Sequence, residues 1–260
     1  MPCINWVPFA WLLIKRDFSN QYRGGFIGLG WGVLTPIFLW LAYALVFFQI
    51  FRFRATELHL ERSDFVIFLF SGMVIFTFFS TVIVNSSTVL RANKASIKKI
   101  VAPISCFPLT TVAVSLCNFF ISFGLIVLAS LLFGQVTLIN CLYLLPALIA
   151  MFAFGLALSF FISATSVYFT DLANVTKILV TPLMFLSPVF YPTSVIPEKF
   201  RDLSYLNPLV IPIETLRASF AGGSPPTFLK LLLYIVIGFT LCILSFWYFR
   251  KLKIRFFEFL

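Results

Sequence analysis

Lys94, Ile97, Lys98, Lys99 and Val101 form the densest group in this chain that could do chemical work, and that work is docking by charge rather than making bonds. If residues 91–103 form a short helix, Lys94, Ile97, Lys98 and Val101 share a face, and Pro103 ends the helix before the next apolar run. A basic and apolar knob of this kind suits a cleft in a soluble subunit. The same lysines also fit the ordinary enrichment of positive charge beside membrane spans, so both readings stand. Groups suited to catalysis are sparse. His59 is the single histidine, and Cys3, Cys106, Cys117, Cys141 and Cys242 are scattered without a CxxC pair, which makes them small apolar fillers rather than metal ligands or a disulfide framework. The sequence contains no G-x-x-x-x-G-K-[ST] phosphate loop, G-x-S-x-G elbow or H-E-x-x-H motif. The chain is therefore expected to bind no metal or cofactor of its own and not to hydrolyse ATP.

The elements that must carry these residues are membrane spans. Of the 260 residues, 61% are hydrophobic and 11% charged, whereas a soluble domain is charged at about a quarter of its positions. Residues 31–51, 65–90, 105–133, 141–169, 178–191 and 231–249 contain no Asp, Glu, Lys, Arg or His. Ion-coupled carriers keep such groups at mid-membrane despite an insertion cost of roughly 2.5–3.5 kcal/mol each. No relay of that kind is expected here, so energy for any transport must enter through a partner. Five of the stretches reach or approach the ~20 residues needed to cross the hydrocarbon core. The fifth, 178–191, is short and holds Pro182 and Pro188, which predicts an irregular span packed within protein, extended backward towards Asn174.

Charge sets the topology. Lys15, Arg16 and Arg23, then Arg91, Lys94, Lys98 and Lys99, then Arg250, Lys251, Lys253 and Arg255 flank alternate spans and place one face, with both termini, in the cytoplasm. The net charge of +10 thus reports orientation and not nucleic-acid binding. The first residues lack a basic stretch ahead of their apolar run, so the N-terminus is expected to persist. Residues 203–220 are interrupted by Asn207, Pro208, Pro212, Glu214 and Arg217, and a seventh span there would throw the basic tail outside. They are predicted to form one or two short helices re-entering the outer leaflet, broken at Asn207-Pro208. The fold class that results is all-α: one polytopic domain of six transmembrane helices, with an interfacial amphipathic helix in residues 1–25, a coupling segment at 91–103 and an external re-entrant region at 192–222.

In the N-terminal segment Trp11, Ile14, Phe18 and Tyr22 recur at helical spacing, opposite Lys15, Asp17, Asn20 and Arg23. Such a helix lies in the membrane interface, either as a collar that contacts a partner or guides a lipid headgroup, or as a passive anchor. Pro188, Tyr191, Pro192 and Pro197 mark where span five meets the outer surface, and irregular backbone at that depth suits the lining or closure of a pathway. The 35 Phe residues supply faces that stack on sugar rings, or that simply meet lipid.

Several local patterns resemble the membrane subunits of ABC-2 type exporters, in particular the polysaccharide branch with O-antigen, capsule and teichoic-acid permeases. They are Tyr22-Arg23 followed by Gly28, Trp31 and Pro36; Ile97-Lys98-Lys99 with Pro103, Phe107 and Pro108; Tyr168 with Asp171; Ser187-Pro188, Tyr191-Pro192 and Pro197-Glu198; Asn207-Pro208; and the closing basic and aromatic tail. Thr170 departs from the arginine that the family commonly has there. The resemblance implies a homodimer in the bacterial inner membrane with two separate ATPase subunits, which hold the ATP and Mg, exporting a lipid-linked polysaccharide. It implies that Trp11, Phe18, Tyr22, Arg23, Gly28 and Trp31 stand where substrate enters, that Lys94 to Val101 meet the ATPase, and that Pro188, Tyr191, Pro192, Pro197, Asn207 and Pro208 form an external gate. Two other functions fit the same composition: ABC-2 export of a small lipophilic compound, and an integral-membrane enzyme acting on lipid-linked sugars. The enzyme would need paired carboxylates, and Asp64 and Asp171 fall on opposite sides of the membrane by this topology.

Overall fold

The structure, a computed structural model, describes residues 6–22, 28–50, 62–99, 103–133, 136 and 138–256. Arg23 and Val101 lie outside the described residues, as does the side chain of Lys99. The described residues are helical with no strand. In order they form α1 (Trp6–Gln21), α2 (Trp31–Ile50), α3 (Arg62–Ser86), α4 (Val89–Ala92), α5 (Lys94–Lys99), α6 (Cys106–Phe133), α7 (Leu138–Tyr168), α8 (Leu172–Leu186), α9 (Glu198–Ser204), α10 (Val210–Phe220) and α11 (Phe228–Leu252).

Among the described residues α3, α6, α7 and α11 are long and apolar enough to cross a membrane, while the apolar parts of α2 (Trp31–Tyr43) and α8 (Leu172–Leu186) are shorter. At 1.5 Å per residue α8 is roughly 22 Å long, against a hydrocarbon core of about 30 Å. The central helix is α3, with 72% of its apolar window buried against 17% for α11. Its inward residues Ile67, Leu69, Ile75, Phe79 and Val82 form the main core with Met151 and Ala147 of α7 and Ile213 and Leu216 of α10.

Helices α7 and α11 run side by side in the same direction. Phe154 stacks on Tyr234 with ring centres 4.7 Å apart, and Phe160 meets Phe249 edge-on at 5.4 Å. At one end of the bundle Asn140 donates to the Ala218 carbonyl (2.8 Å), and at the other the Tyr168 hydroxyl donates to the Leu252 carbonyl (3.1 Å). A second apolar cluster closes this latter end, where Ala10 and Leu13 of α1 join Leu90, Ile97, Phe107, Phe249 and Phe256. The N-terminal helix, α4, α5 and the basic end of α11 therefore come together, and α9 and α10 sit at the opposite end.

Two expectations are corrected. The fifth stretch is not an irregular, enclosed span: α8 is a regular helix with Pro182 inside it, and Thr176 is its buried residue while Ile178, Leu179, Phe185 and Leu186 are exposed. It stops at Leu186 because Pro188 disfavours helical backbone at Ser187, which is extended at φ −100°, ψ 148°. The irregular backbone begins only there. The predicted face of α1 is also divided, since Ala10 and Leu13 are buried while Trp11 is 67% exposed. In contrast, the predicted break at Asn207-Pro208 does separate α9 from α10.

Candidate functional site

The residues singled out in the sequence gather at three places. At the α8–α10 end, the turn after α8 lies across α3 and is held by Arg217. Pro188 and Val189 are buried, Tyr191 and Pro192 half-buried, and Pro197 exposed. From α10, Arg217 Nη2 donates to the Val189 carbonyl (2.7 Å), Nη1 to that of Tyr191 (3.1 Å) and Nε to that of Phe68 (3.3 Å). Its guanidinium carbon stands 3.5 Å from the centre of the Phe68 ring, a cation–π contact. The turn can come this close because α3 has a glycine beneath it. A Cβ on Gly72 would stand 2.5 Å from the Val189 carbonyl oxygen. Asn207 binds the same assembly from the other side, donating to Ser187 Oγ (2.8 Å) and accepting the Leu209 N–H (3.0 Å), and Tyr234 donates to the Pro208 carbonyl (2.9 Å). The result is a knot of irregular backbone whose carbonyls are satisfied by one arginine.

The six apolar stretches bring no ionisable residue, but α10 delivers Arg217 into the core beside them, 6% exposed. Its nearest carboxylate is Glu214 one turn earlier, whose Oε1 accepts from the hydroxyls of Thr193 and of Tyr205 (3.2 Å). Burial pushes the Tyr205 phenol up from its ordinary value, so its hydroxyl stays protonated and donates.

The second place lies between α1, α2, α3 and α6. Tyr22 donates to Asn118 Oδ1 (2.9 Å), and Asn118 donates in turn to Gln21 (3.1 Å). The Tyr22 ring also lies against Gly32 and meets Phe18 edge-on at 5.5 Å. Burial, and secondarily Cys117, raises the pKa of Tyr22, which keeps it a donor. Beside this contact is a cavity of about 220 Å³ walled by Thr35, Trp40, Thr77, Phe78, Thr81 and Asn118, an alternation of aromatic faces with hydroxyl and amide edges. Gly28 adopts φ 55°, the left-handed backbone that favours glycine, at the bend leading into α2. Trp31 is 42% exposed at the start of that helix, and Trp11 points away from the group.

The third place is the basic end. Lys94 and Lys98 of α5 are exposed, whereas Ile97 is 4% exposed and belongs to the apolar cluster under α1. Ile97 therefore seats α5 on the bundle and does not join the lysines in a shared outward face. The two elements are also tied directly, since Arg16 of α1 donates to Asn93 (2.9 Å) and pairs with Asp17 (2.7 Å). Arg91 reaches the Val167 carbonyl at 3.2 Å, linking this segment to the end of α7. Asp171 is exposed in the turn before α8.

A family model described as ABC-2 type transporter matches residues 9–221, a span that takes in all three places. This chain belongs to the ABC-2 type transporter family. It is similar to the O-antigen export system permease protein RfbA of Myxococcus xanthus, 29% identical over 210 residues that cover 80% of this chain and 78% of the relative. It is 27% identical over 252 residues, 96% of this chain and 93% of the relative, to a protein of the same name from Klebsiella pneumoniae. The polysialic acid transport protein KpsM of Escherichia coli is 26% identical over 220 residues, 81% of this chain and 80% of the relative. An ABC-2 chain with several long apolar helices is an integral membrane protein.

In this ABC-2 chain, sequence reading located the prolines and Asn207, named Glu214 and Arg217 only as interruptions of an apolar segment, and missed Gly72. Asn118 was also passed over inside an apolar stretch. An available signal was the Glu214…Arg217 pair one helical turn apart in a segment otherwise apolar enough to be buried.

Proposed function

We propose that the chain is the membrane-spanning subunit of an ATP-driven exporter, which moves a lipid-linked polysaccharide of the O-antigen type from the cytoplasm across the bacterial inner membrane. The observation that carries this reading is the correspondence, over 96% of the chain, with an O-antigen export permease. Two copies of the chain work with two copies of a soluble ATPase subunit, which holds ATP and Mg. The six apolar stretches offer no ionisable relay of their own, in keeping with energy supplied by that partner.

The three places then take distinct roles. Lys94 and Lys98, carried on α5 and braced through Asn93 and Arg16, meet the ATPase, and closure of the ATPase dimer is the bistable event that moves the bundle. The Tyr22–Asn118 contact and the adjoining cavity receive the substrate, whose sugars offer apolar faces to Trp40 and Phe78 and hydroxyls to Thr35, Thr77 and Asn118. The Arg217 knot holds the Pro188–Pro192 turn as an external gate, with α9 and α10 re-entering from outside. The apolar residues exposed on α2, including Phe38, Leu41 and Leu45, and on α8, including Ile178, are left for lipid or the second copy.

Isolation of the chain from its native membrane, followed by an ATPase assay, tests the reading. A stoichiometric soluble ATPase whose hydrolysis rises with lipid-linked glycan supports it. Stimulation by small lipophilic compounds with no response to glycan, or recovery of the chain alone without hydrolysis, overturns it.

A further inference from the structure

Next to the Arg217 knot is a pocket of about 360 Å³ bounded by Thr193, Arg201, Tyr205, Glu214, Thr227 and Lys230, with Arg217 at its floor. Three cations face one carboxylate there. Glu214 lies beside the charge of Arg217 and is bonded by Thr193 and Tyr205, so its compensation is local. Arg201 and Lys230 are left over. Arg201 Nη2 donates to the carbonyls of Ser194 (3.2 Å) and Ile196 (3.4 Å), and its Nε is buried with no hydrogen-bond partner among the described residues. Lys230 Nζ sits 3.6 Å from the centre of the Tyr205 ring and joins no carboxylate, since Arg16–Asp17 is the one salt bridge among the described residues. A buried guanidinium N–H without an acceptor, next to an ammonium whose partner is the Tyr205 side chain and not a carboxylate, leaves this pocket with more positive than negative charge.

We propose that this pocket binds a phosphate group, gripped by the fork of Arg201 and the ammonium of Lys230, with the hydroxyls of Ser194, Ser224 and Thr227 around it. Arg201 and Lys230, neither in an ion pair among the described residues, match the charge of a phosphate better than that of one carboxylate, and the planar guanidinium suits its oxygens. The volume also admits a phosphate together with the glycerol or sugar attached to it. The pocket lies at the end of the bundle away from α4 and α5, so a phosphate bound here is separate from anything that meets the coupling segment. The inference does not rest on the polysaccharide reading.

The test uses the full chain in nanodiscs with two probes. Inorganic pyrophosphate is titrated in phosphatidylcholine nanodiscs, and retained phosphatidylglycerol is counted by native mass spectrometry from mixed nanodiscs. The parent binds at least one probe, and Arg201→Gln with Lys230→Gln weakens that binding tenfold or more, while Lys253→Gln at the other end leaves it unchanged. Pyrophosphate binding alone assigns the site to a free or linker phosphate, and phosphatidylglycerol retention alone assigns it to a bilayer lipid. Failure of the parent to bind either probe, or equal binding by parent and double variant, overturns the proposal. Thermal unfolding shows whether the double variant folds; if it does not, Lys230→Gln alone carries the same test, with a loss of threefold or more.

Discussion

A guanidinium that bonds three backbone carbonyls cannot be replaced by a residue of similar bulk. Arg217→Met leaves the carbonyls of Phe68, Val189 and Tyr191 buried without donors, at a cost of at least about 3 kcal/mol, read as a fall of roughly 6–12 °C in the thermal midpoint of the purified chain. Arg217→Lys recovers only part of this, because a point charge on a flexible stem cannot span three carbonyls in a plane. Gly72→Ala attacks the same knot from the opposite side. Its new methyl meets the Val189 backbone at 2.5 Å, so the turn must move, and the loss is about 1–3 kcal/mol in the same melt. An Arg217→Met midpoint equal to that of the parent would remove the knot as a stabilising device. None of this was legible residue by residue. The contacts of Arg217 join positions 28 and 149 apart in the chain, and a glycine in an apolar run has no local sign that a carbonyl will lie on it.

At the scale of the element, α5 separates two roles that its sequence presents as one. Ile97 is buried and holds the helix down, while Lys94 and Lys98 face outward. Lys94→Glu with Lys98→Glu is therefore expected to abolish glycan-stimulated ATP hydrolysis in the complex, with the thermal midpoint within about 1 °C of the parent, as exposed substitutions usually are. Ile97→Ala should do the reverse, costing about 2–4 kcal/mol of stability through lost packing. Retained coupling in the lysine variant would make α5 plain topological charge. Periodicity in the sequence put Lys94 and Lys98 on one short helix over residues 91–103, whereas the described part is broken at Asn93 into α4 and α5, and it could not say that α1 would cover the apolar edge through Ala10 and Leu13. The same limit applied to α8, where Pro182 was read as a breaker. An isolated proline inside a helix removes one N–H bond and is accommodated, whereas Pro188 acts on the residue before it and does end the helix.

For the whole molecule, the two ends of the bundle differ in the way their charges are handled. One end gathers Lys94, Lys98, Lys251, Lys253 and Arg255, all exposed, and the other encloses Arg217 among carbonyls and an aromatic ring. Exposed lysines and arginines beside apolar helices resist translocation, so the expected orientation keeps the first end in the cytoplasm and carries the second out. A cysteine at Leu206, 74% exposed between α9 and α10, is then labelled by a membrane-impermeant maleimide added to intact spheroplasts. A cysteine at Ala95, exposed on α5, is labelled only after the membrane is opened. The pair matters because each site controls for the other: reactivity of both from outside means leaky cells, and reactivity of neither means buried positions. The reverse pattern, Ala95 from outside and Leu206 from inside, would turn the molecule over. It would place the Arg217 knot in the cytoplasm and so overturn the external-gate role proposed for it.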